Sequence, residues 1–223
     1  MSSVPTPLTS DEQALSYIQG ICAQYAQYHK IDPSVYERYG VKRGLRNADG
    51  TGVMAGITQI GNVRGYYIED GEKVPMDGQL IYRGISVQDL IDGFMTEGRF
   101  GYEETAYLLL FGTLPTQGQL SGFRDLLAHF RSLPANFTED MILKAPSRDV
   151  MNKLARATLA LYSYDPDPEN KALEAEMLKA VQLIARYPVI VAHAFACKRH
   201  YYDNESLYLH RPQEGLSVAE NFL

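Results

Sequence analysis

Residues 78–134 constrain the fold of this chain more than any other stretch. They begin with a β-branched and aromatic run at residues 80–85, which contains a glycine and predicts a brief strand that ends in a turn. Ser86 can then cap a helix, and Gly98 ends it. The buried face predicted for that helix comprises Leu90, Ile91 and Phe94.

Two further helices are predicted within the same stretch. The first covers residues 102–111, and its centre at residues 106–111 is apolar on every side, so we expect it to be buried or to lie against a partner subunit. Gly112 stops it. Thr116 and Gln119 then form a T-x-x-Q capping box for the next helix. The apolar face of that helix comprises Leu120, Phe123, Leu126, Leu127 and Phe130.

The N-terminal residues predict a tail and one long helix. Residues 1–8 are expected to be disordered, and Ser10 and Gln13 form a capping box for a helix over residues 11–30. His29 lies among tyrosines near the end of that helix. It could be a ligand or an acid–base group, but packing among the tyrosines is the favoured interpretation.

A glycine-rich loop at residues 44–52 could cradle a phosphate, since Arg43 and Arg46 accompany it. The loop lacks the Gly-Lys-Ser/Thr ending of a phosphate-binding loop and no helix signal follows it, so turn chemistry is the favoured interpretation. Residues 53–83 then predict a small antiparallel sheet, with a hairpin turn at residues 69–72 that contains Asp-Gly.

Beyond residue 134 the pattern predicts further helices. Thr138 is expected to cap a short one, and Ser147 is expected to start another. An Asp-Pro-Asp-Pro break at residues 165–168 precedes a helix over residues 170–186, and Pro188 is predicted as the first residue of a separate helix. The apolar face predicted for the helix after Ser147 comprises Met151, Leu154, Ala155, Thr158, Leu159 and Tyr162. About nine helices and one small sheet predict a mainly α fold.

Two positions near the end of the last long helix are candidates for chemistry. His193 and Cys197 are four residues apart and share a face, so they could form a nucleophilic pair. No acid within that helix orients the histidine, and a core cysteine beside a half-buried histidine is favoured. His200 could contact an anion or a nucleotide, although cations at a helix C-terminus are the favoured explanation. Its basic and aromatic neighbours are Lys198, Arg199, Tyr201 and Tyr202.

The remaining candidates give weaker signals. His210 and Arg211 lie in a predicted loop that could touch a ligand, and His129 is expected at the surface. Glu103 and Glu104 are adjacent on a helix and should point apart, so joint acid–base work is not expected. The sequence shows no Ser-His-Asp order, metal-ligand cluster or dinucleotide glycine motif. It therefore assigns no catalytic, cofactor-binding or metal-binding residue.

Composition and charge limit the kinds of molecule that the chain is expected to bind and the compartment in which it is expected. The formal net charge of −6 argues against general nucleic-acid binding, which favours a basic surface. No apolar run is predicted to be long enough to span a membrane. The first residues resemble neither a secretory signal nor a transit peptide, so a cytoplasmic location is expected. Cys22 and Cys197 indicate neither a disulfide framework nor a metal site.

Three ordered motifs carry a family resemblance. They are L-x-YRG-I-x-V-x-DL from Leu80, EE-x-AYLLL-x-G-x-LPT from Glu103, and GLSVAENFL at residues 215–223. In this order and spacing they make the chain similar to the N-terminal part of citrate synthases, from about Gly44 onward. The similarity is weakest at residues 147–165, where the His-Pro-Met-Asp type opening often seen in the family is replaced.

This resemblance implies a multi-helical large domain with a small antiparallel sheet. It also implies a homodimeric enzyme that condenses acetyl-CoA with oxaloacetate, both as substrates and with no separate cofactor. In the family the catalytic aspartate and histidines follow the AENFL segment. No position here matches their motifs, so no catalytic residue is carried over.

The last residues suggest how much of such an enzyme is present. Ser217 and Glu220 form a capping box for a helix whose apolar run starts at Phe222, where the sequence ends. We therefore expect residues 9–223 to be the N-terminal portion of the large domain, without the smaller domain and inactive alone. Three alternatives stay open: a 2-methylcitrate synthase, which takes propionyl-CoA; a non-catalytic helical module for dimerisation or regulation; and an unrelated helical binding protein.

Overall fold

The computed structural model describes residues 10–41, 53 and 56–223. The chain forms two compact units, one of Ala23–Leu114 and one of Met1–Cys22 with Pro115–Leu223. The fold is mainly α with one small antiparallel sheet, as predicted. The predicted disordered tail and the glycine-rich loop at residues 44–52 lie outside the described residues.

The first helix is α1 (Asp11–Tyr28), which ends two residues earlier than predicted. Its start agrees with the predicted cap, because the Ser10 hydroxyl accepts a hydrogen bond from the Gln13 amide at 3.3 Å. The division between the two units falls within α1 along the chain. A short helix, α2 (Pro33–Arg38), follows it.

The sheet belongs to the unit of Ala23–Leu114. Strands β1 (Gly61–Glu69), β2 (Glu72–Tyr82) and β3 (Ile85–Ser86) are hydrogen-bonded in that order. Asp70 and Gly71 form the two-residue turn between β1 and β2, and both have positive φ, as the Asp-Gly pair predicts. Within the described residues, the sheet begins at Gly61, whereas it was predicted to begin near residue 53.

Two helices complete this unit, α3 (Val87–Thr96) and α4 (Tyr102–Phe111). The Ser86 hydroxyl accepts from the Gln88 amide at 3.2 Å, which confirms the predicted cap of α3. Gly112 ends α4 in the left-handed region at φ 84°, where a residue without a side chain avoids strain.

The other unit is built around one long helix. Besides the first part of α1, its regular elements are α5 (Gln117–Phe130), a π-helical turn (Thr138–Leu143), α6 (Val150–Leu161), a 3₁₀ turn (Tyr162–Tyr164), α7 (Leu173–Tyr202) and α8 (Val218–Phe222). The predicted capping boxes at Thr116 and Ser217 are both present. The core between the π-helical turn, α6 and α7 comprises Phe137, Ile142, Ala157, Leu161, Ile190, Ala194 and Cys197.

Two predicted caps are wrong. The π-helical turn has no side-chain cap, and the Thr138 hydroxyl instead pairs with Nδ1 of His193 at 3.1 Å. The cap of α6 is Asp149, whose carboxylate accepts from the Asn152 amide at 2.9 Å. Ser147 bonds the backbone of Asp149 and so supports that cap from outside the helix.

The apolar face predicted for α6 is only partly confirmed. Leu154 packs against the core, but Met151 is 73% exposed and Leu159 is 76% exposed. The fully buried side chains are those of Lys153, Ala157 and Leu161. The Lys153 ammonium reaches backbone carbonyls beside the π-helical turn, and an apolar periodicity cannot reveal such an inward-facing lysine.

A single helix replaces the two predicted on either side of Pro188. Pro188 lies inside α7, where the missing N–H and the ring cost about 3 kcal/mol or more. Burial of apolar side chains offsets this cost on both sides of the proline, at Val181, Ala185, Ile190 and Ala194. By length and composition α7 could cross a membrane, contrary to the prediction, but a core helix passes the same test, and α7 packs against α5, α6 and α8.

Candidate functional site

A cleft of about 520 Å³ lies between the C-terminal half of α7 and the segment that follows it. It brings together two candidate histidines, His193 and His210, together with Arg199 and Arg211. Arg131, at the end of α5, also lines it. This cleft gathers more of the residues singled out in the sequence than any other part of the described structure.

His193 is held at both ring nitrogens. Nδ1 lies 3.1 Å from the Thr138 hydroxyl, and Nε2 lies 3.2 Å from the His210 carbonyl oxygen. A carbonyl oxygen only accepts, so Nε2 donates to His210, while Nδ1 pairs with the hydroxyl. This imidazole fastens the loop at His210 to α7, and both of its nitrogens are engaged.

Cys197 is buried in the core, as the favoured interpretation predicted. Its Sγ points to the carbonyl oxygen of Ile142 at 3.6 Å. Burial raises the pKa of the Cys197 thiol, and the positive charge of Lys153 lowers it by a smaller amount. A protonated, buried thiol is a poor nucleophile, so His193 and Cys197 do not form a catalytic pair.

The basic segment at the end of α7 is neutralised by the loop that follows. Lys198 pairs with Asp203 at 2.8 Å, and Arg199 pairs with Glu205. His200 bonds the Glu205 carbonyl oxygen through Nδ1 at 2.8 Å. These contacts support the favoured interpretation of cations at a helix C-terminus rather than an anion site.

Arg131 and Asn221 fix the C-terminal wall of the cleft, and neither was predicted to have a role. Arg131 is buried, and its Nη1 donates to the carbonyl oxygens of Gln213 and Leu216, both at 2.9 Å. The Asn221 amide bonds the same two carbonyls and accepts from the Gln213 amide at 2.7 Å. A lone arginine after an apolar helix face gives no periodic signal that would identify it.

His29 packs among aromatic groups, as favoured, in the unit of Ala23–Leu114. Its ring stacks on Tyr25 at 3.6 Å, and Nδ1 donates to the Tyr25 carbonyl oxygen at 2.8 Å. Nε2 accepts from Nη2 of Arg83 at 2.8 Å, and the same guanidinium donates to the Leu109 carbonyl oxygen. Arg83 therefore ties the end of α4 to the end of α1, and His29 is part of that structural contact.

The other acidic and basic candidates are dispersed. His129 is not simply a surface residue, because it pairs with Asp11 at 2.7 Å and its side chain is 20% exposed. Glu103 is fully buried, whereas Glu104 pairs with Arg99 at 2.7 Å. The two glutamates point apart, as predicted.

A second cleft, of about 680 Å³, lies beside the loop at residues 165–168. Lys179 donates to the Pro168 and Asn170 carbonyl oxygens at 2.7 and 2.8 Å, and Arg186 donates to the Ser132 carbonyl oxygen at 3.2 Å. Burial lowers the pKa of the Arg186 guanidinium. Both cations hold backbone segments in place.

Within the described ranges, no group of three or more His, Cys, Asp or Glu side chains is arranged to hold a metal ion. The cleft at His193 is lined by arginines, but its imidazole is engaged at both nitrogens, and the Cys197 thiol lies in the core and does not line the cleft. The polar side chains around the two clefts hold backbone segments in place. The acid, the base and the nucleophile of a reaction are not brought together among the residues that the structure describes.

A protein-family model described as "Citrate synthase, C-terminal domain" matches residues 47–223. The chain is 33% identical over 184 residues to a citrate synthase of Saccharolobus solfataricus, covering 82% of this chain and 41% of that protein. It is 31% identical over 192 residues to a 2-methylcitrate synthase of Mycobacterium tuberculosis, covering 86% of this chain and 41% of that protein. The chain thus spans about 41% of the length of these curated relatives.

Solved structures agree with this similarity. The citrate synthase of Pyrobaculum aerophilum superimposes with a TM-score of 0.59 at 27% identity, covering 82% of this chain and 44% of that one. The citrate synthase of Thermoplasma acidophilum, solved as a ternary complex with carboxymethyl coenzyme A and oxaloacetate, gives a TM-score of 0.55. It is 23% identical over 75% of this chain and 38% of that one, and so supports the fold alone.

Proposed function

The chain belongs to the citrate synthase family, and on that premise we propose that it is part of an enzyme that condenses acetyl-CoA with oxaloacetate and water to give citrate and CoA. One observation carries the proposal: the family model matches residues 47–223. The mainly α fold with its small sheet is the fold of the solved relatives.

Within that enzyme we assign residues 10–223 a scaffolding role and propose that they are inactive alone. The support is chemical. His193 and Cys197 are held by contacts within the fold, and His29 binds Arg83. Lys198 and Arg199 are paired with acids of the following loop. Condensation needs a base at the methyl group and a donor at the carbonyl, and these side chains serve neither task in this arrangement.

A 2-methylcitrate synthase remains the second candidate. A 2-methylcitrate synthase matches at 31% identity, close to the 33% of the citrate synthase. Two substrates that differ by one methylene are separated by only about 1–3 kcal/mol in an apolar pocket, so substrate choice depends on local side chains.

We further propose that the enzyme is a homodimer through α6. Met151, Ala155, Leu159 and Tyr162 follow one another at steps of four, four and three residues and form an exposed apolar stripe. In an antiparallel pair of α6 helices centred on Ala155, Met151 would lie opposite Leu159 of the second copy. The small alanine at the crossing point permits close approach of the two helices. The all-apolar helix α4 is a weaker candidate, because it buries Tyr107, Leu108 and Phe111 within the chain.

The catalytic proposal is tested on the product of the full reading frame that contains these residues. Thiol release is followed with oxaloacetate and either acetyl-CoA or propionyl-CoA. We expect the higher kcat/KM with acetyl-CoA. A higher kcat/KM with propionyl-CoA would favour 2-methylcitrate synthesis, and no thiol release with either would favour a non-catalytic helical module.

A further inference from the structure

Among the residues that the structure describes, strand β1 forms an outer edge of the sheet. The strand order is β1-β2-β3, so within the described ranges β1 has a hydrogen-bonded neighbour on one side only. All nine of its residues are exposed, including Val63 at 80% and Ile68 at 58%. A long exposed edge with apolar and aromatic side chains is a template for pairing with another strand.

The geometry of the hairpin identifies the groups that face the open side. Glu69 and Glu72 flank a two-residue turn with positive φ at both positions, so they form a hydrogen-bonded pair. Hydrogen-bonded and non-hydrogen-bonded pairs alternate along β1. The irregularity in the ladder lies in β2, since Gly65 alone stands opposite three residues, 76–78. The N–H and C=O groups directed away from β2 are therefore those of Asn62, Arg64, Tyr66 and Ile68.

We propose that β1 pairs antiparallel along this open edge with β1 of a second copy of the chain, with Tyr66 opposite its symmetry mate. Two residues that face each other across such a pair must both have even numbers or both have odd numbers, because only alternate residues direct their backbone groups outward. This restricts the possible registers. In this register Tyr67 lies opposite Gly65 of the other copy, and its ring covers the bare glycine backbone. Symmetry provides this contact twice.

Charge also favours a second copy over an unrelated strand. Arg64 lies opposite Ile68 of the other copy, and Asp70 is then its diagonal neighbour, within reach of a long arginine side chain. The only two charged residues of β1, Arg64 and Glu69, have opposite signs. In this register Arg64 lies opposite Ile68 and Glu69 lies opposite Val63, so like charges do not meet directly across the two-fold axis.

The edge of β1 and the stripe on α6 consist of different residues, and their effects on self-association are separated by a Leu159→Glu background. In that background a charge disrupts the α6 contact, so the remaining self-association reports on β1. Sedimentation velocity compares the full 223-residue chain carrying Ile68→Pro or Ile68→Ala. Proline removes the outward N–H, whereas alanine keeps it, and neither changes a ladder bond to β2. We expect Ile68→Pro to raise the dissociation constant roughly 30-fold above that of Ile68→Ala, since symmetry removes two hydrogen bonds.

A cross-linking experiment fixes the register independently of stability. In a hydrogen-bonded pair the two Cα atoms are about 5.5 Å apart, which suits a disulfide. Tyr66→Cys should therefore give a covalent dimer on mild oxidation, whereas Tyr67→Cys should not, because its mate is displaced by two residues. Cys22 and Cys197 are buried and do not compete. Equal yields from the two variants, no covalent dimer from Tyr66→Cys, or unchanged self-association of Ile68→Pro would overturn the proposal.

Discussion

Lys153 shows how one side chain orients a helix. It is buried, and its ammonium donates to the carbonyl oxygens of Met141 and of Ala145, the latter at 2.8 Å. These carbonyls lie at and just beyond the end of the π-helical turn, where backbone acceptors lack partners within the helix. The lysine thus serves as a cap supplied from another helix.

Replacing this lysine should change how stability depends on pH. Burial lowers the pKa of Lys153 below its ordinary value of 10.5, with Arg156 acting in the same direction. Between the folded pKa and 10.5 the unfolded chain binds more protons than the folded chain, so the free energy of unfolding rises with pH in that window. The contribution is greatest above 10.5 and is lost as the pH falls through the folded pKa.

We therefore expect Lys153→Met to lower the free energy of unfolding by roughly 1–3 kcal/mol, because two buried carbonyls lose their donor, with a larger loss at pH 10 than at pH 7. Urea denaturation at both pH values measures this. Lys171→Met, at an exposed lysine, is the control and should show little loss. A loss that is equal at both pH values would contradict the role given to burial.

Cap chemistry within one stretch of chain was predicted well, and contacts between distant residues were not. Ser86, Thr116 and Ser217 bond amides two or three residues away, so their role is visible in the sequence. Thr138 is also a residue type that caps helices, but its hydroxyl pairs with His193, which lies 55 residues later in the chain. Arg131 likewise acts through carbonyls more than 80 residues later, which no local pattern reveals.

At the scale of elements, a glycine that ends α4 and a glycine inside α3 provide a matched test. Gly112 has φ 84°, and a Cβ there would lie 2.9 Å from Tyr28 side-chain atoms. Gly93 lies inside α3 with no atom near an added Cβ. We expect Gly112→Ala to destabilise the chain by roughly 1–3 kcal/mol and Gly93→Ala to stabilise it by roughly 0.5–1 kcal/mol. Thermal unfolding of both variants measures the difference, and shifts of the same sign would contradict this account.

The predicted element boundaries were wrong where tertiary packing overrides a local sequence rule. A proline after an apolar run predicts a helix start, yet Pro188 lies in the middle of α7 because apolar side chains such as those of Ala185 and Ile190 are buried on both sides of it. The apolar side chains of α6 cover more than one face, and the predicted face combined members of both. Leu154 packs against the core, whereas Met151 and Leu159 are exposed.

The proposed helical dimer has a direct test. We expect Leu159→Glu to weaken dimerisation roughly 100-fold or more, because symmetry removes two buried leucines and introduces two desolvated charges. Leu15→Glu, at an exposed leucine on α1, is the matched control. Sedimentation equilibrium of the two variants measures the effect. A dimer that is equally sensitive to both would exclude α6 as the interface.

For the whole molecule, the family was predictable from ordered motifs, whereas the cleft at His193 was not. The motifs retain residue order along the chain, and the family match over residues 47–223 confirms that reading. The cleft depends on how α7 meets a segment without regular structure between residues 203 and 217. Its walls are fixed by Arg131 and Asn221, whose side chains bond backbone rather than a ligand.

The central claim is that these 223 residues supply the scaffold of the enzyme and not its chemistry. The most direct measurement is thiol release from acetyl-CoA with oxaloacetate by the 223-residue chain itself, beside the product of the full reading frame. The account predicts turnover by the full product and none by the 223-residue chain. Turnover by the 223-residue chain, lost on His193→Ala, would contradict the claim and assign the chemistry to the cleft beside α7.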